Sequence, residues 1–161
     1  MNSLFEGLNR NEFGQNAAAV SNLQILPCSH VKLWPGTRLG KMSGAVLVNT
    51  NLQWARLYLT DQTGSFSEKS SMTDHGRKYS FQISGFYPGD SEDLRRFLNL
   101  TEWVQFIVRV TDAHGISRII GTDQFGLELD YDSMIASEMG GRRGTSMTFS
   151  GDLPVGSALE Y

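Results

Sequence analysis

The chain has one cysteine among its 161 residues, Cys28, so no disulfide can form within it. That absence fits a reducing compartment, or a chain that folds without oxidation. Cys28 lies in a mostly apolar stretch, Leu23 to Trp34, and reads as a small buried hydrophobe rather than a reactive thiol. Long apolar runs are also missing. Nothing approaches the roughly 18 apolar residues of a membrane span. The start, Met1 to Gly7, lacks the basic and apolar regions of a secretory signal. A basic excess is absent too: 14 Lys and Arg face 17 Asp and Glu, for a net charge of −3. Autonomous nucleic-acid binding is therefore not expected, nor is a membrane partner. The arginine pairs, Arg95–Arg96 and Arg142–Arg143, do not interleave with aromatics as a base-stacking groove requires.

Catalytic signatures are equally scarce. His30, His75 and His114 are far apart and form no H-x-H or H-x-x-x-H pair. There is no G-x-S-x-G elbow for a nucleophilic serine. The glycine-rich stretch 137–144 precedes Thr145-Ser146, but Arg143 stands before Gly144 and no lysine follows, so it is not a phosphate-binding loop. It reads as a mobile loop that orders against a partner. Glu128, Asp130 and Asp132 place three carboxylates on one strand face, about 6.5–7 Å apart. Their spacing lacks the loop and glycine of a calcium site, so they read as a solvated face that blunts a sheet edge. No catalytic, cofactor or metal residue is assigned, and the chain is not expected to be an enzyme.

What the sequence does have is aromatic and alternating. Apolar residues make up 40% and aromatics 11%, enough for one domain with a real core and weighted towards β structure. Residues 1–19 read as a flexible N-terminal arm anchored only by Phe5 and Phe13. Residues 20–161 read as a single β-rich domain. The first strand runs through Leu23, Ile25, Val31 and Leu33 and is broken by Pro27, which places it on an edge or kinks it. Ala45 to Val48 suits a strand covered on both faces. Gln53 to Thr60 alternates, with Ala55, Leu57 and Leu59 on one side. The serine-rich residues 65–77 read as a surface loop. Lys78 to Tyr87 alternates again, with a bulge expected at Gly85.

Asp90 or Ser91 then caps a helix over about residues 90–100, with Leu94, Phe97 and Leu98 as its apolar stripe. Trp103 to Thr111 is the strongest strand pattern. Asp112 to Gly115 forms a hairpin loop, and Ile116 to Ile120 returns. Phe125, Leu127, Leu129 and Tyr131 alternate in turn. Thr145 to Ser150 forms a last short strand, followed by a turn-like tail from Gly151 that ends in Ala158-Leu159-Glu160-Tyr161, whose apolar members are candidates to dock. The fold class is mainly β: an antiparallel sandwich or barrel with one short flanking α-helix. Trp54, Tyr58 and Trp103 fall opposite the core stripes, as a second core layer or as a subunit interface.

The C-terminal half carries a resemblance. The helix Leu94-x-x-Phe97-Leu98, the strand Trp103–Thr111 and the Asp112-x-x-Gly115 turn are followed by Arg118-Ile119-Ile120-Gly121. Thr145-Ser146-Met147-Thr148-Phe149-Ser150-Gly151 then precedes an aromatic C-terminus. This order resembles small structural proteins of tailed bacteriophages and prophages, of the tail or tail-completion type. The resemblance implies a non-enzymatic structural subunit that self-assembles and contacts other particle subunits. It also implies a place in the virion, or in the bacterial cytoplasm during assembly. On that reading the interface residues are Phe5, Phe13, Trp54, Tyr58, Trp103, Arg142 and Arg143. The alternative is a carbohydrate- or ligand-binding β-sandwich module that uses Trp34, Trp54 or Tyr58 as a stacking platform.

Overall fold

The structure, a computed structural model, describes residues 19–137 and 139–160. Phe5, Phe13 and nearly all of the expected arm lie outside the described residues. The strands are β1 (Val20–Pro27), β2 (Val31–Leu33), β3 (Thr37–Arg38), β4 (Lys41–Met42), β5 (Leu47–Val48), β6 (Ala55–Leu57), β7 (Ser65–Thr73) and β8 (Gly76–Pro88). The helix α1 (Glu92–Leu100) follows, then β9 (Phe106–Asp112), β10 (Ser117–Ile120), β11 (Glu128–Ile135), β12 (Arg143–Leu153) and β13 (Ala158–Glu160).

The alternating stripes decide the architecture. One sheet has the order β3-β4-β13-β10-β9-β1-β6, a second has β11-β12-β8-β7, and β2 pairs with β5 as a small flap. Every pairing is antiparallel except β13 with β4. Leu23 and Ile25 of β1, Phe106, Val108 and Val110 of β9, and Ile120 of β10 face Phe81 and Ile83 of β8 and Phe149 and Leu153 of β12. Phe106 meets Phe149 edge to face, with centroids 5.8 Å apart. The result is a β-sandwich-like fold, because each sheet has one face that must leave water.

The large sheet is covered on its outer face as well. Leu26, Ile107 and Ile119 pack there against Val46, with Val31, Val48, Trp34, Met42 and Trp54 around them. The outer face of the four-stranded sheet is left largely to water, apart from Phe86, which is buried with Arg142 over its ring. It carries Ser67, Gln82, Ser150 and Glu128 in one row, and Lys69, Ser80 and Asp152 nearby. The helix is capped by Ser91, whose Oγ accepts the Leu94 N–H at 3.1 Å. Its stripe of Leu94, Phe97 and Leu98 packs on Met147, Leu129, Tyr87 and Leu57, so a nine-residue helix is held by burial.

Between β10 and β11 the chain changes sheets. Phe106 and Leu127 exchange two backbone hydrogen bonds of 2.8 Å, and the next residue, Glu128, is already paired with Ser150 in the other sheet. Gly126 makes this passage possible: a Cβ there would lie 2.6 Å from Cys28 Sγ and 2.9 Å from the Phe106 nitrogen.

Several expectations are corrected. The serine-rich segment is no loop. Ser65–Thr73 is a full strand, because β8 offers it a register of nine residue pairs, its serines, Lys69 and Thr73 face water, and Glu68 accepts from Ser157. Pro27 does not mark an edge strand, but the break expected there is present. It is the strand's last residue, before a 3-10 turn at Cys28–His30, and β1 lies between β9 and β6. Gly85 is not a bulge, since its pairing runs without a shift. It is instead a slot: its missing Cβ leaves room for Leu59, whose methyls would otherwise be 2.5 and 2.7 Å away.

Ala45–Val48 yields only the two-residue β5, with Leu47 exposed. The strand from Gln53 shortens to β6, and Ala55 is exposed while Leu57 and Leu59 turn inward. Trp103 is not on β9, which starts at Phe106. The glycine-rich stretch is shorter than drawn, since Arg143 and Gly144 already belong to β12. The tail is structured: Gly151–Leu153 completes β12, and β13 inserts between β10 and β4.

Candidate functional site

Arg109 comes from the outer face of β9 and is the most connected charge on the large sheet. Its Nη2 donates to Glu160 Oε1 at 2.7 Å, its Nε lies 2.6 Å from Oε2, and its Nη1 donates to Gln24 Oε1 at 3.0 Å. Its guanidinium carbon sits 4.1 Å from the centroid of the Trp54 ring. Trp54 is thus half-buried in the second core layer, with one ring face taken by a cation. The guanidinium charge is paired within the chain, with Glu160.

The opposite end of the molecule differs. Trp103 is 94% exposed and adopts φ +64°, a left-handed conformation unfavourable for a bulky side chain. Beside it a groove of about 470 Å³ runs between the C-terminal end of α1 and the edge of β11. Leu98, Glu102, Trp103, Val104, Leu129 and Tyr131 line it. Tyr58 is also exposed, but no groove lining brings it together with Trp103. Arg142 lies over the Phe86 ring at 5.5 Å. Arg143 opens β12, where it pairs with Ile135. Among the described residues, Tyr58, Trp103 and Arg143 line different grooves.

What does stand out is the pair of rims on the four-stranded sheet. Among the described residues, β7 and β11 each have a partner on one side only. Both are long, and neither carries a proline. Each exposes a large apolar residue: Met72 is 71% exposed and Ile135 79%. The three carboxylates Glu128, Asp130 and Asp132 share the outer face of β11, all exposed. Among the described residues no group of three or more His, Cys, Asp or Glu is arranged to hold a metal ion.

Sequence reasoning missed the β7 rim and the Arg109–Glu160 pair. The β7 signal was present, since Phe66 and Met72 share a parity and Asp74-His75-Gly76 is a tight turn into the next alternating run. Cys28 is half-buried, its Sγ donates to the Thr122 carbonyl at 3.2 Å, and burial pushes its pKa up to about 11. It packs against the second core layer, and the raised pKa keeps the thiol protonated at neutral pH. No helix of the described residues is long and apolar enough to cross a membrane.

No family model matches the chain, and neither a curated protein nor a solved structure matches it.

Proposed function

We propose that the chain is a non-enzymatic structural subunit of a phage or phage-like particle, a tail or virion component, that works by self-assembly. The observation that supports this most is the sheet that ends on both sides in a long strand with no outer partner among the described residues. Such rims are templates for another chain, and assembly removes them. Exposed Trp103, Met72, Ile135 and Leu100 add apolar surface beyond what an isolated domain needs. The phage assignment rests on the order of helix, strand and turn motifs in the C-terminal half.

The carbohydrate-binding alternative has less support, because Trp34 and Trp54 are packed in the second core layer and Arg109 covers a face of Trp54. Light scattering coupled to size exclusion, with negative-stain electron microscopy, tests the proposal. A defined multi-chain mass or a regular ring or tube is expected. A single-chain mass at the highest attainable concentration would overturn it.

A further inference from the structure

We infer that the partner of the β11 rim is the β7 rim of a second copy of this chain, joined head to tail so that one sheet runs through successive subunits. This rests on the self-assembly reading and specifies its interface.

Four observations carry it. The first is direction. In the order β11-β12-β8-β7 every step is antiparallel, so β7 and β11 run opposite ways. Two copies in the same orientation therefore meet antiparallel, the better-bonded pairing.

The second is phase. Ser67, Gln82, Ser150 and Glu128 form one row across the sheet. Along such a row, hydrogen-bonded and non-bonded pairs alternate. Three pairs separate the two ends, so odd residues of β7 and even residues of β11 present the same kind of backbone edge outward. Odd-to-even pairing continues the ladder, and it also keeps inner and outer side chains on their own faces.

The third is side-chain fit. Centring the two strands sets Lys69 opposite Asp132, Met72 opposite Leu129, and Phe66 opposite Ile135. Among the described residues no ion pair engages Lys69 or Asp132. The exposed Ile135 meets a phenyl ring in this register. The fourth is the groove. Met72 arrives beside Leu129, where Trp103, Val104 and Leu98 line an open channel of about 470 Å³. An exposed methionine is a good filler for such a channel. The contact uses two different surfaces, so it repeats from copy to copy into a ring or an open filament.

Two sets of variants test this, with circular dichroism confirming that each is folded. Lys69→Asp and Asp132→Lys should each raise the midpoint concentration of assembly about tenfold, through a like-charge pair at every junction. The double variant, with both charges exchanged, should restore assembly. Met72→Asp should weaken it at least as much. Separately, Lys69→Cys with Asp132→Cys in a Cys28→Ser background should give a disulfide ladder of multiple chains on mild oxidation, since directly opposed strand residues lie within bridging distance.

Normal wild-type assembly with neither rescue nor ladder overturns this interface and leaves the self-assembly reading standing. Assembly lost on removal of residues 1–18, but untouched by Met72→Asp, overturns it in favour of the chain's own N-terminal segment. A wild-type protein that stays a single chain overturns both.

Discussion

Arg109 and Glu160 close an ion pair that spans β10 and ties the last strand to the middle of the large sheet, with contacts of 2.6 and 2.7 Å. Their side chains are 19% and 23% exposed. The pair is shielded enough that removing one charge leaves the other poorly solvated. Glu160→Gln should cost about 1–2 kcal/mol, measured as a lower urea midpoint at unchanged slope. An unchanged midpoint would show that Gln24 and Trp54 alone satisfy Arg109.

Gly126→Ala should destabilise more strongly. The added methyl meets Cys28 Sγ, Gln105 Cβ and the Phe106 nitrogen, all under 3 Å, and backbone cannot step aside as a side-chain end can. A loss of about 2–3 kcal/mol is expected, read from chemical unfolding.

Helix α1 is short, so its cap and its packing separate cleanly. Ser91→Ala removes the bond to the Leu94 N–H and should cost about 1 kcal/mol. Leu98→Ala opens a void against the α1–Met147 cluster and should cost about 2–5 kcal/mol. The reverse ranking would mean that the helix is held by its cap.

Cys28 should resist thiol reagents. With its pKa at about 11, thiolate at pH 8 is scarcer than for an ordinary cysteine by roughly two orders of magnitude. Alkylation should accelerate as pH climbs towards the folded pKa. The raised value also means that stability is whole below the unfolded thiol pKa and erodes above it. Rapid labelling of native protein at neutral pH would refute this.

Asp152 titrates below the ordinary carboxylate range, because Ser80 donates to its Oδ1 at 2.6 Å and Lys78 lies 3.4 Å from Oδ2. Its contribution is present above the ordinary carboxylate pKa and is lost as pH falls through the depressed folded value. Ser80→Ala should move the Asp152 titration upward in a carbon-detected NMR titration. No movement would assign the depression to Lys78.

The legible parts of the fold were those where one residue type states one environment. Phe81 and Ile83, or Val108 and Val110, alternate because one face is core and the other is not, and Leu94, Phe97 and Leu98 mark a single buried stripe. The illegible parts were those where a partner supplies the information. Ser65–Thr73 has little apolar content of its own and becomes a strand because β8 lies beside it. Trp103 follows the alternation on paper but sits in a left-handed turn before the strand begins. Ala158–Glu160 reads as a tail because its place between β10 and β4 is set by distant chain. The interface residues chosen from sequence were aromatic or basic. The rims depend on backbone left without a neighbour, which no residue type announces.

The insertion of β13 has a temporal side. The β3–β4 hairpin is made early, yet its ladder to the large sheet runs through β13, where Leu159 pairs with Lys41 and donates its N–H to the Gly40 carbonyl at 2.8 Å. During synthesis that backbone pairing must wait until residues 158–160 have emerged, and Met42, packed against Leu26, Ile107 and Ile119, is the hairpin's earlier hold on the sheet. Truncating those few residues would loosen a hairpin made far earlier in the chain.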